Sequence, residues 1–503
     1  MYLKHGLVAL LALGPVSAAW AVPATDDGAA RLKGIFQTYL GGVDGVVSVT
    51  PKGETYDLVI DPTPLLAQIP GDSDVKFEVG TLTYHLTDNG DGSWGVTENQ
   101  TVSWSFTIPN MMEQIGSGKI ESTGIWDEAL PGFREQTAVM TGYTANTTQY
   151  VPVTPVPGEP APESEVEPGV EIMSRDSQSI DRVETVLKAS AAAAGGVDHG
   201  ITYSVQGVYQ TVDYAAVSPF GAMKLDITSR GYDGKGMIKG SRNDGMLALL
   251  AWFVAHPSQE LIASSQDGLR DKLSAAMPLW DDMAMDMNLH DLKVVSPIGE
   301  FTASNIAAEV GMSGIEADGR VREMVRITGL KVPETIVPPW ALPVIPNEVS
   351  FDLSVSRFDL AAPVKMIIEG FDLTAGDPIA KVDVEQLKAA FFAGNPVALE
   401  LAPSQIKGEG YQIDYQGQMQ LPADTPPGGT ARISATGLDK IEAALNAAPP
   451  EQAQQPLMML QMAKMLSKPG ASGEMIWEID ASTPGGPISV NGQQVAGGPA
   501  PQQ

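Results

Sequence analysis

The sequence MAMDMNLHDLKVVSPIGEFTA, at residues 283–303, decides the fold class. In its first half three methionines and a leucine alternate with other, mostly polar residues, and this period of two is typical of a β-strand that buries one face. Residues 296–299 supply the proline and glycine of a turn, and apolar side chains alternate again from Phe301. The stretch therefore predicts a β-hairpin in an antiparallel sheet with one face toward water.

The same alternation recurs along most of the chain. Residues 82–96 and 397–415 each contain two alternating runs joined by a glycine-containing turn. Further strands are predicted at residues 56–60, 102–108, 201–214 and 223–229. The segment 231–236 is interpreted as a turn, because it lacks the spacing and the serine or threonine of a phosphate-binding loop. Since strands follow one another through short turns, a parallel α/β sheet is disfavoured.

Segments with helical periodicity precede the strands or lie between them. After Asp26 the apolar residues follow a helical spacing that predicts a helix lying on the sheet. These residues are Leu32, Ile35, Phe36, Tyr39 and Leu40. We expect Asp244 to cap a helix that is apolar nearly all round and hence buried. Ser258 is the expected N-cap of a second helix, which Pro278 stops.

Two more helices are predicted near the C-terminus, at residues 438–445 and 458–466. Helix pairs that fall between blocks of alternating strands are suited to cover the dry side of the sheet. The predicted fold class is therefore α+β. Its main feature is a predominantly antiparallel, elongated and curved β-sheet with pairs of helices packed on its apolar face.

The N-terminus predicts export. A short apolar run leads to Ala19-Trp20-Ala21, a pattern typical of a signal-peptide cleavage site, so we expect a periplasmic protein. The predicted parts of the chain are 1–21 as signal peptide, 22–150 as an N-terminal helix plus β-meander, 151–171 as a linker or loop rich in Pro and Glu, 172–345 as β-hairpins with a central helix pair, 346–492 as β-hairpins with a C-terminal helix pair, and 493–503 as a disordered tail.

Composition limits the classes of partner. Lys and Arg total 31 against 61 Asp and Glu, which gives a formal net charge of −30. Such a surface repels phosphate backbones, so nucleic acid is not expected as a partner. The absence of cysteine excludes disulfides and acylation of a processed cysteine. No later stretch approaches the roughly 20 apolar residues of a spanning helix, so no transmembrane anchor is expected after signal cleavage.

Two sets of side chains are candidate ligand contacts. Flexible methionines and one tryptophan suit a groove that adapts to acyl chains, although such residues also serve simply to fill cores. The predicted lining residues are Met283, Met285, Met287, Trp252, Met458, Met462 and Met465. The basic residues Arg230, Lys235, Lys239 and Arg242 are a candidate patch for an anionic head group, with a solvated hairpin as the alternative.

Motifs for metal binding and catalysis are lacking in the sequence. The four histidines after the signal peptide have no zinc-binding spacing, and His85 and His290 fall on the polar side of alternating strands. Residues 88–92 fit a hairpin turn better than a calcium loop, since no bidentate glutamate follows at the required offset. No nucleophile elbow is present. We therefore expect no metal, no cofactor and no catalytic residues, although a triad assembled in space stays open.

The layout resembles the domain of unknown function 2125 family of Gram-negative envelope proteins and, more distantly, YdgA-like proteins. The resemblance rests on the Ser-Pro-x-Gly turn at residues 296–299, the helix start at Gly437-Leu438, and the ending Trp477-Glu478-Ile479 followed by residues 488–492. It spans most of the chain after the signal peptide. It implies an envelope location and an extended sheet wrapped around helices, and it supplies no activity.

The functional expectation is a non-enzymatic envelope protein that binds a hydrophobic ligand, such as a lipid, between sheet and helices. A structural or assembly factor that contacts other envelope proteins through strand edges is the first alternative. A secreted hydrolase with a site not visible in the sequence is the second.

Overall fold

A computed structural model describes residues 23–68, 76–152, 170–219 and 221–496. The predicted signal peptide, most of the 151–171 segment and the last residues of the tail lie outside the described residues. The α+β class with one large, curved and unclosed antiparallel sheet is confirmed.

The strands of this sheet account for most of the described chain. Their bounds are β1 Val47–Lys52, β2 Thr55–Ile60, β3 Lys76–Val79, β4 Leu82–Asp88, β5 Ser93–Ile108, β6 Met112–Asp127, β7 Gly132–Pro152, β8 Val170–Ala191, β9 Val197–Tyr214, β10 Met223–Ser241, β11 Asp282–Ser296, β12 Gly299–Ser313, β13 Gly319–Thr328, β14 Glu348–Phe358, β15 Val397–Gly408, β16 Tyr411–Leu421, β17 Gly428–Thr436, β18 Lys468–Pro469, β19 Met475–Ala481, β20 Ile488–Val490 and β21 Gln493–Ala496.

Helices separate four blocks of strands, β1–β10, β11–β14, β15–β17 and β18–β21. Their bounds are α1 Asp26–Leu40, α2 Thr63–Leu66, α3 Asn243–Ala255, α4 Gln259–Ser264, α5 Gln266–Ala276, α6 Ala361–Gly370, α7 Val384–Phe392, α8 Leu438–Asn446 and α9 Pro450–Leu466, and a short 3-10 helix spans Leu342–Val344. None of these helices is both long and apolar enough to cross a bilayer, as far as the described residues extend.

The strands pair antiparallel with their neighbours in the chain. The ladder runs β1–β2–β4–β5 and then through consecutive strands to β17, continuing through β19 to β20 and β21. β3 also pairs with β5, and β18 with β19. The three predicted hairpins are confirmed as β4–β5, β11–β12 and β15–β16. At the ends of the 151–171 segment, Val151 and Glu171 are cross-strand partners on β7 and β8.

The interpretation of residues 231–236 as a turn is wrong, because they lie inside β10. Their glycines serve close packing between strands. A β-carbon at Gly234 would overlap the ring of Tyr203, which lies across this position and donates a 2.9 Å hydrogen bond to the carbonyl oxygen of Asp286. Glycine therefore lets an aromatic ring lie flat on the sheet.

A line of irregularities crosses the sheet from β7 to β12. Where it crosses each of these strands, two successive side chains on the same face are three residues apart instead of two. The pairs are Met140 and Tyr143, Ile180 and Val183, Val205 and Val208, Ser229 and Tyr232, Leu289 and Leu292, and Ala303 and Ile306. Gly142, Gly207 and Asp291 adopt positive φ values of 61°, 63° and 51° there. We call this line of aligned bulges the crease.

The sheet has one apolar face, which helices cover at its two ends. Near the N-terminal end α1 packs on this face, and Leu32 joins Tyr56, Trp94 and Trp126 in a buried cluster, the α1 cluster. At the other end α8 and α9 pack on the same face around Trp477 and Ala435, forming the C-terminal cluster. The predicted helix at residues 32–40 and the C-terminal helix pair are confirmed.

The central helices differ from the prediction in detail. Arg242, not Asp244, occupies the N-cap of α3, and Asp244 lies in the first turn. The expectation that α3 is buried all round is wrong, since Leu250 is 45% exposed and Phe253 42% exposed. Its buried side is the one that carries Trp252, which packs on α5 and on the segment after α6. Ser258 caps a helix as predicted, but that helix breaks into α4 and α5.

Candidate functional site

An unbroken row of apolar side chains crosses the sheet on its apolar face. Each member lies directly opposite the next on the adjacent strand, from β6 to β19. The members are Ile120, Met140, Val183, Val205, Tyr232, Leu289, Ile306, Ile327, Val349, Ile406, Ile413, Ala435 and Met475. We call it the central row. With strands about 4.8 Å apart, it is roughly 55–60 Å long.

Most of the central row has no helix packed over it. The α1 cluster draws on no strand beyond β7, and the C-terminal cluster begins at β16. The cluster around Trp252 consists of helix and loop residues only. Among the described residues, β8 to β15 contribute no member to these three clusters, although Val205 of the central row is only 4% exposed and Phe358 of β14 stacks on Phe391 of α7. The middle of the apolar face is most accessible around Met285 of β11 and Val310 of β12.

The strand methionines of the predicted lining lie beside the central row. Met283, Met285 and Met287 are opposite Ile238, Gly236 and Gly234 of β10, on the apolar face. Met285 is 52% exposed and its partner Val310 on β12 is 44% exposed. Large side chains on a buried strand face are rarely this accessible, so the surface is suited to contact an apolar ligand.

The other predicted lining residues lie elsewhere. Trp252 is buried between α3 and α5, and its ring stacks on His256 with centroids 4.0 Å apart. Met458, Met462 and Met465 lie on the outer side of α9, where Met465 is 76% exposed. The structure therefore brings together the three strand methionines and separates them from Trp252 and from the helix methionines.

The four basic residues do not form a bare cationic patch. Arg230, Lys235 and Arg242 pair with Asp291, Asp286 and Asp281 at 3.2, 3.6 and 2.8 Å. Lys239 lies directly opposite Asp282. Because carboxylates accompany all four residues, the net attraction for an anionic head group is small. Sequence reasoning missed this pairing, since the aspartates come from β11 and the residues before it.

A surface cavity of about 440 Å³ contains a histidine, a serine and an aspartate. The imidazole of His290 contacts the carboxylate of Asp233. Ser204 lies opposite Asp233 on β9, so the carboxylate separates the hydroxyl from the imidazole. This order does not provide the hydroxyl–imidazole contact that activates a serine nucleophile. No group of three or more potential ligands for a metal ion occurs in the described parts of the chain.

Beyond Ile120 the central row ends in a polar network that sequence reasoning missed. Gln100 lies opposite Ile120, and its side-chain NH2 donates a 2.6 Å hydrogen bond to Glu98. Ser122 donates a 3.0 Å hydrogen bond to the other oxygen of this carboxylate. Only 8% of Glu98 is exposed. The sequence did contain a signal for this network. Glu98 lies two residues from buried Val96 on β5, so alternation places its side chain on the same buried face.

The network perturbs a neighbouring phenol. Burial, together with the charge of Glu98, raises the pKa of Tyr84 to about 12. The unfolded chain ionises this phenol near pH 10, so the stability that the neutral form provides is complete below pH 10 and is lost as the pH rises toward 12.

We expect the urea midpoint of unfolding to fall between pH 10 and pH 12, and to fall less steeply in Tyr84→Phe. Urea denaturation at several pH values measures both slopes. Other tyrosines contribute equally to the two proteins, so the difference between the slopes isolates Tyr84. Identical slopes would show that Tyr84 ionises normally in the folded protein.

No family model matches this chain, and it has no significant match among the curated proteins or the solved structures.

Proposed function

We propose that this protein binds a hydrophobic ligand, a lipid with a long acyl chain, on the accessible part of its apolar face around Met285 and Val310. The observation that carries the proposal is the accessible apolar surface at Met285 and Val310, which are cross-strand partners 52% and 44% exposed beside a central row that is continuous over thirteen strands. The proposal includes the envelope location that residues 1–21 predict.

Exposed apolar area on this face favours binding of an apolar ligand. Large contiguous apolar patches on a soluble protein commonly mark a binding surface. The floor of this surface includes the ring of Tyr203, which lies across Gly234 and meets the ring of Tyr232 edge to face with centroids 6.1 Å apart. A chain of methylene groups lying on such a floor gains about 0.8 kcal/mol for each group that it buries.

Native extraction tests the proposal directly. The purified full chain is extracted with organic solvent, and the extract is analysed by mass spectrometry. We expect lipid in stoichiometric amount, about one molecule or more for each protein. A chain that is folded but carries no lipid, and that does not take up a fluorescent fatty acid, would contradict the proposal.

Two matched methionine variants locate the binding surface. Met285 is on the apolar face, whereas Met237, 41% exposed, is on the opposite face of the adjacent strand. We expect Met285→Asp to reduce bound lipid about tenfold, because a charge beside the chain loses its hydration. Met237→Asp introduces the same charge and leaves lipid unchanged. Since both side chains are about half exposed, both variants are expected to fold, and circular dichroism checks this.

One observation favours the assembly factor as a second candidate. Met458, Met459, Met462 and Met465 form an exposed stripe along α9 that faces away from the sheet. Flexible methionine surfaces suit protein partners of variable shape. Photo-cross-linking from position 462 in cells should then trap one defined envelope protein. Labelling that is spread over many abundant proteins would speak against this role.

A further inference from the structure

A row of polar side chains crosses the face of the sheet opposite the central row. Each member lies directly opposite the next, from β14 to β20. The members are Ser354, Glu400, Gln418, Thr430, Asp480 and Ser489. We call it the polar row. On β16, Gln418 is five residues from Ile413 of the central row and no bulge of this strand lies between them, so their side chains point to opposite faces. With strands about 4.8 Å apart, the polar row is roughly 24 Å long.

A groove follows the polar row. A cavity of about 620 Å³ extends from β15 to β20, and a second of about 560 Å³ extends from β14 to the segment after β19. Glu400, Gln418 and Thr430 line both cavities, so the two adjoin along the row. A bulge in β15 places Ala402 and Pro403 among the lining residues of the first cavity. Both volumes are typical of ligand sites.

The groove offers hydrogen-bonding groups of both kinds and no net charge. Its charged lining residues are three cations and three anions, Arg357, Arg432, Lys468, Glu400, Glu478 and Asp480. Amide and hydroxyl side chains between them provide donors as well as acceptors. The side chains of Glu400, Gln416 and Ser489 form no hydrogen bond with the other residues that the structure describes. Their full hydrogen-bonding capacity is therefore available to a ligand.

These properties favour an oligosaccharide as the ligand. Sugar hydroxyls both donate and accept hydrogen bonds, which matches the mixed lining. The face of a β-sheet also binds oligosaccharides in the OB-fold. A peptide would require a free strand edge, an apolar groove or a cluster of basic residues. The groove provides none of these, since β15, β16 and β17 are paired on both sides and the charges of the lining are balanced.

Arg357 lies at the β14 end of the groove. It is the extra residue of a bulge between β13 and β14, and its φ is 65°, a value that non-glycine residues seldom adopt outside functional sites or turns. Such bulges re-aim a side chain. The guanidinium forms no ion pair or hydrogen bond with other residues in the described part of the chain. Because guanidinium groups pair bidentately with carboxylates, this end of the groove suits an acidic sugar.

We propose that the groove along the polar row binds an oligosaccharide and that Arg357 pairs with the carboxylate of an acidic sugar at one end. This site is independent of the proposed lipid surface, because it lies on the opposite face of the sheet and on later strands than Met285. Either site can therefore fail without the other.

A glycan array tests the ligand class. The labelled full chain is applied to an array of neutral and acidic oligosaccharides from bacteria and plants. Titration calorimetry then compares the strongest acidic ligand with its methyl ester. Thr430→Leu removes a hydroxyl from the floor shared by both cavities, and Thr436→Leu is the matched control on the same face of β17, outside both cavities. Arg357→Gln is matched by Lys272→Gln, an exposed position on α5.

We expect the chain to bind acidic oligosaccharides on the array. Thr430→Leu weakens the acid and its ester alike by about tenfold, because leucine fills the floor and leaves sugar hydroxyls without a partner. Arg357→Gln weakens only the acid, again by about tenfold. The two control variants and Met285→Asp change neither affinity, and circular dichroism confirms that all variants are folded.

The outcomes separate the parts of the proposal. No bound oligosaccharide on the array, binding to a peptide array in its place, or equal losses in Thr430→Leu and Thr436→Leu would overturn the groove as a sugar site. Unchanged affinity of Arg357→Gln for the acid would overturn the role of Arg357. None of these results alters the lipid measurements, which test the other face.

Discussion

Replacing Trp94 with alanine will lower the free energy of unfolding by about 3–5 kcal/mol. Trp94 is 1% exposed at the centre of the α1 cluster, and its ring meets that of Tyr56 edge to face with centroids 5.7 Å apart. Its indole NH donates a 2.9 Å hydrogen bond to Glu128. The truncation therefore leaves a large cavity and removes one of the two donors to Glu128, whose Oε1 also accepts from Arg31.

Chemical denaturation measured by fluorescence and by circular dichroism gives this loss. Trp104, ten residues further along β5, is the matched control, because it shares the face but lies beyond the reach of α1 and is only partly buried. We expect Trp104→Ala to cost clearly less. Equal losses would mean that the open part of the apolar face is packed as tightly as the part beneath α1, contrary to the structure.

The hairpins could be predicted because their signal is local. In β11 and β12 the alternation of apolar and polar residues and the turn at residues 296–299 lie within one continuous stretch, so no knowledge of distant partners is needed. The same holds for α1, where a single apolar stripe and the acidic first turn set the helix. Both kinds of pattern follow from the backbone geometry of one element.

Other features depend on neighbours that are distant in sequence. Leu250 and Phe253 are exposed because few elements pack on α3. The sequence of α3 alone does not show how many neighbours the helix has. The crease could not be predicted, because each strand contains only one extra residue. The six bulges are seen to be aligned only when the strands are paired in register. Helix α7 had a local signal that was overlooked, since Asp383 caps it and accepts a 2.9 Å hydrogen bond from the amide of Glu385.

The candidate site shows the same division. The methionines of β11 indicated the correct face of the sheet, because alternation alone assigns them to it. The central row could not be predicted, since it is defined by cross-strand partners from many strands. Trp252 and the α9 methionines were grouped with the strand methionines on residue type, and the fold places them on separate surfaces.

Replacing Gly207 with valine will cost about 2–5 kcal/mol of stability, since two penalties combine. The residue adopts a φ of 63°, which a β-branched side chain strongly disfavours. A β-carbon would also overlap the carboxylate of Asp181 on β8, which lies against this glycine. Thermal and urea unfolding measure the loss, and Gly200→Val on the same strand is the control, because its φ is not positive and its surroundings leave room.

The same variant connects the crease with function. The extra residue at the crease keeps both Val205 and Val208 on the apolar face, because regular alternation through β9 would turn Val208 to the opposite side of the sheet from Val205. If Gly207→Val folds by relaxing the bulge, we expect it to bind less lipid than Gly200→Val, since part of the apolar face is then turned to the other side of the sheet. A variant with full stability, or one that binds as much lipid as Gly200→Val, would show that the crease is not what keeps the apolar face continuous.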